Sequence, residues 1–285
     1  MIKPCVFNDD LSNNFKKAIK MAENFGLKYV KLRNVNGHKI GEITKREINE
    51  IKSVLEYSPI KIGCIGSPVF AKGCLLDDDK TYDEQRKVFE KMLVLCKEFD
   101  VNSIRIFAFN KPDSKINEHI LDENIDEIVR KLREPVKMAE NSGVTLVIET
   151  EWKTYAGTAK ETAKLLEVLN SKAVKVCWDV MNAWSSGEIA FPDGYNYIKD
   201  NIGHIHVKDC RIDPETNKVI DDRALIGQGD IPWREIFTTL NKDGYDGIAT
   251  IERKFAPRTA EDTPELMNQI KGDIKGLFNL LKSIN

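Results

Sequence analysis

Eight short apolar segments, each followed by an amphipathic segment with helical spacing, constrain the fold of this chain more than any other feature. The apolar segments have the length and the β-branched content of strands. The predicted strands are Lys3–Phe7, Tyr29–Arg33, Lys61–Gly66, Ser103–Phe107, Thr145–Glu149, Val174–Asp179, Gly203–Lys208 and Ile248–Glu252. The predicted helices cover residues 12–26, 44–57, 81–98, 121–142, 158–169, 195–201, 232–242 and 263–283. This alternation predicts an α/β fold built on a parallel sheet.

Two architectures contain such a sheet, the closed (β/α)8 or TIM barrel and the doubly wound open sheet. An open sheet that binds a dinucleotide has a glycine-rich turn after its first strand. The corresponding turn here is Asn8-Asp9-Asp10-Leu11-Ser12, which contains no glycine. A barrel requires about 250 residues, and the chain has 285. We therefore predict a single TIM barrel domain over residues 1–285.

Composition and charge narrow the class of partner. The 43 basic and 45 acidic residues leave a net charge of −2, which argues against nucleic acid as the main ligand. No segment is apolar over the roughly 18 residues that a membrane span requires, and the start of the chain does not resemble a signal peptide. The six cysteines are scattered, as is typical of reduced thiols. We expect a cytoplasmic protein that acts on a small molecule.

Polar residues end four successive predicted strands. Glu149, Asp179, His206 and Glu252 follow one another at spacings of 30, 27 and 46 residues. A βα repeat of a barrel takes about 30 residues, so each of these residues belongs to the next strand of the ring. Because barrel enzymes have their active sites at the C-terminal ends of the strands, we expect the four side chains to converge there.

Three carboxylates brought together would repel one another, and a divalent cation would remove that repulsion. Three carboxylates and one imidazole form a hard ligand set that favours Mn²⁺ or Mg²⁺, although Co²⁺ and Zn²⁺ are also permitted. The predicted cofactor is therefore one divalent metal ion. Glu151 lies on the same strand face as Glu149 if the strand continues, and it is an alternative ligand.

The chain resembles, over most of its length and most densely from Thr145 to Arg253, the xylose-isomerase-like TIM barrel superfamily, in particular its sugar phosphate isomerase/epimerase branch. The resemblance rests on the four strand-end residues, on His206-Val207-Lys208-Asp209 followed by the loop Gly227–Trp233, and on Asp243–Gly247 before the last strand. It implies that Glu149, Asp179, His206 and Glu252 bind one metal ion. Many members have a histidine where this chain has Asn182. The metal-rich AP-endonuclease relatives need more histidines than the four present here.

The resemblance implies an isomerase or epimerase that moves a proton next to the carbonyl of a ketose through an enediolate. Glu149 and Glu252 are the expected acid/base pair, one removing the proton and the other returning it. A dehydratase of a keto-inositol or a related polyol would use the same first step and then lose water. Less favoured alternatives are a non-catalytic sugar-binding barrel and an AP-endonuclease-like enzyme.

Other polar and aromatic residues near the predicted strand ends are candidates for substrate binding. They are Arg33, Glu151, Trp152, Asn182 and Lys208. Arg33 is equally suited to clamp an anionic group or to form an ordinary ion pair, and Lys208 to orient a substrate oxygen or to pair with Asp209. The expected partner is a carbohydrate, with neither nucleic acid nor membrane. A homo-oligomer is compatible with this fold, although the sequence does not indicate an interface.

Overall fold

Eight strands of this computed structural model form one closed barrel, whose order around the ring is β1-β8-β7-β6-β5-β4-β3-β2. The strands are β1 Lys3–Phe7, β2 Tyr29–Leu32, β3 Lys61–Gly66, β4 Ser103–Ile106, β5 Thr145–Glu149, β6 Val174–Asp179, β7 Ile202–Val207 and β8 Ile248–Ile251. The structure describes residues 1–71, 73–112, 120–253 and 263–284. The predicted TIM barrel is confirmed, and no predicted strand end is wrong by more than one residue.

The helices follow the strands in sequence. They are α1 Asn8–Leu11, α2 Phe15–Asn24, α3 Lys45–Glu56, α4 Asp79–Phe99, α5 Ile120–Ser142, α6 Ala159–Leu169, α7 Val180–Ser185, α8 Tyr195–Ile198, α9 Trp233–Lys242 and α10 Pro264–Lys282. A π-helical turn covers Ala190–Gly194 and a 3-10 turn covers Lys199–Asn201. Two small antiparallel ribbons, Asn34–Val35 with His38–Lys39 and Arg211–Ile212 with Val219–Asp221, lie in loops after strands. The short helices α1 and α7 and the ribbons were not predicted.

Strand pairing and helix caps account for most of these bounds. Neighbouring strands pair in parallel, for example β4 with β5 and β5 with β6. Helix α3 begins with a capping box at Thr44, and α6 begins with one at Thr158. The helix predicted to start near Thr81 begins instead at Asp79, because the Asp78 carboxylate accepts a hydrogen bond from the backbone N–H of Thr81 at 3.0 Å. Asp78 is therefore the N-cap of α4, in keeping with the preference for aspartate at that position.

Two compact units can be distinguished within the chain. One comprises Met1–Ile65 and Ile205–Asn285, and contains β1, β2, β8 and helices α1 to α3, α9 and α10; the other, Gly66–His204, contains β4 to β6 and α4 to α8. All six cysteines are buried free thiols, which agrees with the sequence-based expectation. Among the described residues, no helix is both long and apolar enough to cross a membrane. The assignment of residues 1–285 to one domain stays a prediction.

Candidate metal centre

Glu149 and Asp179 end the paired strands β5 and β6, and both side chains are buried. Asp179 also begins helix α7, because its carboxylate accepts a hydrogen bond from the backbone N–H of Asn182 at 3.0 Å. The Thr150 hydroxyl accepts from the backbone N–H of Asp179 at 2.9 Å and donates to its carbonyl oxygen at 3.1 Å. The strand end, the helix cap and these bonds together hold the Asp179 carboxylate in a defined position.

His206 and Glu252 occupy the corresponding positions on β7 and β8. His206 is fully buried within β7, and Glu252 directly follows β8 with only 9% of its side chain exposed. The His206 Nδ1 atom lies 3.1 Å from Oε2 of Glu252. The backbone N–H of Glu252 donates to the Val207 carbonyl at 3.2 Å, which extends the pairing of the two strands by one residue.

One ligand atom from each of Glu149, Asp179, His206 and Glu252 lies within 4.8 Å of the others. Metal–ligand bonds of about 2.0–2.2 Å place two ligand atoms on opposite sides of one cation at about 4 Å. The spacing therefore suits one shared cation. Three carboxylates and an imidazole also provide the donors that a divalent ion of moderate hardness prefers. These four residues fit the predicted divalent metal, while the preference for Mn²⁺ or Mg²⁺ stays a prediction.

Three cationic or polar groups surround the Glu252 carboxylate. Lys208 Nζ lies 3.0 Å from its Oε2, and Arg33 Nη1 lies 3.2 Å from its Oε1. Burial by itself raises the pKa of Glu252, but Lys208, His206 and Arg33 outweigh burial and hold that pKa well below its ordinary value. Glu252 is therefore ionised at neutral pH. Lys208 was expected to orient a substrate oxygen or to pair with Asp209. In the structure its ammonium group forms an ion pair with Glu252.

Arg33 forms the ion pair that was one of its two predicted roles. Its guanidinium donates to both carboxylate oxygens of Asp9, at 3.0 and 2.9 Å, and to Asp10 at 2.6 Å. It also lies 4.0 Å from the ring centroid of Phe7. Burial raises the pKa of Asp10 to about 6, even though Arg33 opposes that rise. Arg33 is therefore shared among the carboxylates of Asp9, Asp10 and Glu252.

An arginine and a neutral amide contact the Glu149 carboxylate. Arg105 Nη1 donates to Glu149 Oε2 at 2.5 Å. The side-chain amide of Asn182 is 3.5 Å from Glu149 Oε1 and 3.3 Å from Glu151 Oε2. Glu149 belongs to the four-residue group, whereas Glu151 does not. This geometry favours Glu149 over Glu151 as the ligand and makes Asn182 a link between the two side chains.

The loop after β7 is anchored to Asp209 through backbone groups. Its carboxylate accepts hydrogen bonds from backbone N–H groups at 2.8–3.3 Å, namely those of Cys210, Gly227, Gly229 and Ile231. A side chain at Gly229 would meet Asp209 Oδ1 at 2.0 Å, so this close approach requires glycine. The Gly227–Trp233 motif therefore has a local structural explanation: it closes the loop onto the strand end.

Three residues near the candidate centre were missing from the sequence-based set of site residues. Lys31 Nζ lies 2.7 Å from Nε2 of His206, Arg105 contacts Glu149, and Asp9 contacts Arg33. A lysine and an arginine inside otherwise apolar strand segments, and an acid directly after the first strand, were the available signals. Trp152, by contrast, is 43% exposed, with the Lys153 ammonium 4.7 Å from the centre of its ring.

Residues 19–270 match the family described as xylose isomerase-like TIM barrel. This chain belongs to that family. An inosose dehydratase from Clostridium perfringens is 22% identical, with 94% of this chain and 91% of the relative aligned. A D-psicose 3-epimerase from Enterocloster bolteae is 24% identical over 73% of this chain and 67% of its own length. The predicted superfamily is therefore confirmed.

Solved structures share the fold of this family member. The IOLI protein with a bound zinc atom has a TM-score of 0.79 at 19% identity, with 100% of this chain and 99% of that chain covered. A xylose isomerase-like TIM barrel protein from Mycobacterium smegmatis in complex with magnesium has a TM-score of 0.75 at 14% identity, with 99% and 96% covered. At such identities the likeness establishes the fold alone.

Proposed function

We propose that this protein is a metal-dependent sugar isomerase or epimerase, which moves a proton next to the carbonyl of a ketose. The grouping of Glu149 and Glu252 with Asp179 and His206, all within 4.8 Å, carries the proposal. Membership of the family, and relatives named as a D-psicose 3-epimerase and inosose dehydratases, support an enzyme that acts on sugars or related polyols.

Glu149, Asp179, His206 and Glu252 would hold one divalent ion, with manganese or magnesium preferred and cobalt or zinc permitted. When bound, that ion supplies a positive charge that polarises a carbonyl and favours loss of the neighbouring proton. The protein supplies the acid and the base. One glutamate accepts the proton from the substrate carbon and the other returns a proton, either to the opposite face of that carbon or to the neighbouring carbon.

The environments of the two glutamates suit this division of labour. Lys208 and Arg33 keep Glu252 ionised, so its carboxylate is ready to accept a proton. Arg105 holds one oxygen of Glu149 and leaves the other beside the amide of Asn182. Residues around this pair would orient the sugar: Lys208 and Asn182 by hydrogen bonds, Glu151 by accepting from a hydroxyl, and the exposed Trp152 ring by apolar contact. Arg33 would act indirectly, through Glu252.

A dehydratase is the second candidate, and two observations favour it. Inosose dehydratases align with 94% of this chain, and the Lys208 ammonium lies beside Glu252, where a cation could protonate a departing hydroxyl. In that reaction the base removes a proton next to the carbonyl. The β-hydroxyl then leaves with a proton as water, and a carbon–carbon double bond forms.

Proton exchange tests the proposal directly. The protein with added Mn²⁺ is incubated with D-psicose or with an inosose in D₂O, and deuterium on the substrate carbon and product mass are followed by NMR and mass spectrometry. Epimerisation or isomerisation incorporates deuterium without loss of water, whereas a dehydratase yields a product lighter by one water. Glu149→Gln and Glu252→Gln should each lower the exchange rate by about 10²- to 10⁴-fold.

Glu167 is an exposed glutamate on α6, and the Glu167→Gln variant serves as the control. It should exchange the substrate proton at the wild-type rate. Near-normal exchange in both site variants would refute the two-base scheme. Oligomeric state, localisation and the absence of nucleic-acid or membrane partners stay predictions from the sequence.

A further inference from the structure

Lys31 is a fully buried lysine inside β2, and its position depends on an irregularity in the barrel. The pairing of β2 with β3 shifts register between Val30 and Lys31, so that Val30 pairs with Ile62 and Lys31 with Cys64. Gly63 is the extra residue, and a side chain there would meet Ile248 at 2.3 Å. Bulges of this kind re-aim a neighbouring side chain.

The Lys31 ammonium is directed at one atom of a candidate metal ligand. Its Nζ lies 2.7 Å from Nε2 of His206 and 5.2 Å from the ring centroid of Phe7. The Phe7 ring in turn meets His206 edge to face, at 5.5 Å between centroids. A buried ammonium requires such partners, since an isolated buried charge is strongly unfavourable.

Because an ammonium group only donates hydrogen bonds, it assigns Nε2 of His206 as the acceptor. The other ring nitrogen, Nδ1, is left facing Glu252 Oε2 at 3.1 Å. Rotation of the ring by half a turn would replace both contacts with carbon atoms. The Lys31 contact therefore selects the ring orientation that presents Nδ1 to the remaining ligand candidates.

We propose that Lys31 is a positioning residue, which occupies Nε2 of His206 and so presents Nδ1 as the metal-binding atom. The inference rests on the metal site of the proposed function. Histidine ligands of metals usually have their second nitrogen held by a partner outside the ligand set, and loss of that partner weakens metal binding about 10- to 100-fold. That partner is commonly a carboxylate or a carbonyl; here it is a lysine.

Metal affinity without substrate tests the proposal. Mn²⁺ binding is measured by competition with a chelator for the wild type, Lys31→Met and Lys31→Gln. Lys31→Met removes the donor and keeps the length of the side chain, and it should weaken binding about 10- to 100-fold. Lys31→Gln retains an amide that can hold Nε2, and it should remain within about threefold of the wild type. Wild-type affinity in Lys31→Met would overturn the proposal.

Lys131→Met is the matched control for the loss of a buried lysine. Lys131 lies on helix α5 and is also buried. Its Nζ atom is 4.7 Å from the ring centroid of Tyr82 and forms an ion pair with Asp79 at 2.5 Å. The Lys131→Met variant should bind Mn²⁺ with the wild-type affinity. An equal loss of affinity in Lys131→Met would overturn a specific role for Lys31.

A spectroscopic measurement on the wild type keeps the proposal testable if Lys31→Met does not fold. In metal-free protein labelled with ¹⁵N at histidine, Nδ1 of His206 should carry the proton and Nε2 should show no attached hydrogen. The reverse assignment would overturn the inference. Wild-type protein that binds Mn²⁺ as described but exchanges no substrate proton would contradict the proposed function and leave the role of Lys31 intact.

Discussion

Glu149 is the last residue of β5 and Glu252 directly follows β8, but the surroundings of these two similarly placed glutamates differ. Glu252 is contacted by Lys208, Arg33 and His206, at 3.0 to 3.2 Å. The Glu149 carboxylate accepts a hydrogen bond from the Arg105 guanidinium at 2.5 Å, and the neutral Asn182 amide lies 3.5 Å from its other oxygen. The same side chain at equivalent strand ends thus acquires a different electrostatic role. Such a difference is what separates the two partners of an acid/base pair in many enzymes.

Replacing the arginine beside each glutamate should produce the largest change in the free energy of unfolding. Arg33→Met removes the cation shared by Asp9, Asp10 and Glu252, all within a buried network. Removing one partner of a buried ion pair costs about 3–5 kcal/mol, and we expect the upper end here, as measured by urea unfolding at pH 7. Arg105→Met leaves only the Glu149 carboxylate without its guanidinium partner, and its cost in free energy of unfolding should lie near the lower end of this range.

Two further measurements make the arginine comparison decisive. Arg130→Met, which breaks an exposed pair with Glu127, should cost at most about 1 kcal/mol. The loss in Arg33→Met should also be smaller at pH 5 than at pH 7. Asp10 already has a pKa of about 6 in the folded protein, so at pH 5 it is protonated and needs no cation. Equal losses for Arg33→Met and Arg105→Met would contradict the asymmetry.

Replacing Lys208, which contacts Glu252, or Asn182, which contacts Glu149, should have an intermediate effect on the free energy of unfolding. Lys208→Met removes an ammonium group that lies 3.0 Å from Glu252. Because Arg33 still neutralises that carboxylate, the change should lower the free energy of unfolding by about 1.5–3 kcal/mol. Asn182→Ala removes a neutral amide at 3.5 Å from Glu149 and should cost about 0.5–1.5 kcal/mol. Chemical denaturation of both variants in parallel measures the difference. A larger cost for Asn182→Ala would reverse the ranking of the two sites.

Glu151 gives the smallest expected effect and sharpens the comparison on the Glu149 side. Because Glu151 lies outside the four-residue group, Glu151→Gln should leave Mn²⁺ affinity within about threefold of the wild type. Glu149→Gln, which removes a charged ligand candidate, should weaken binding by at least about 100-fold. Titration calorimetry with Mn²⁺ compares the two. A stronger effect of Glu151→Gln would identify Glu151 as the ligand.

Local patterns predicted most of the fold and part of the candidate site. The bounds of β1, β3, β5 and β6 agree with the prediction because apolar, β-branched runs bounded by polar residues are a local signal. The four strand-end residues could be chosen because parallel strands bring their carboxyl ends to one side. The short helices α1 and α7 were missed because each begins directly at a strand end, where no separate helical period is visible.

The partners of these residues could not be predicted in the same way. Lys31 contacts His206 from 175 residues away, and Arg33 contacts Glu252 from 219 residues away. Sequence alternation indicates the face on which a strand residue lies, but the pairing of distant strands depends on register. The shift between Val30 and Lys31 that accompanies the Lys31 contact has no sequence signal beyond Gly63.

The sequence by itself determined the barrel and the group of strand-end ligand candidates, because both follow from local hydrophobic periodicity and from the repeat length. Only the tertiary structure decided which charges act on each candidate: that Glu252 lies among cations, that Glu149 rather than Glu151 joins the group, and that Lys31 holds His206. These outcomes depend on distances of 3 to 4 Å between side chains from distant strands. Such distances arise only when the ring closes and burial strengthens each charge interaction.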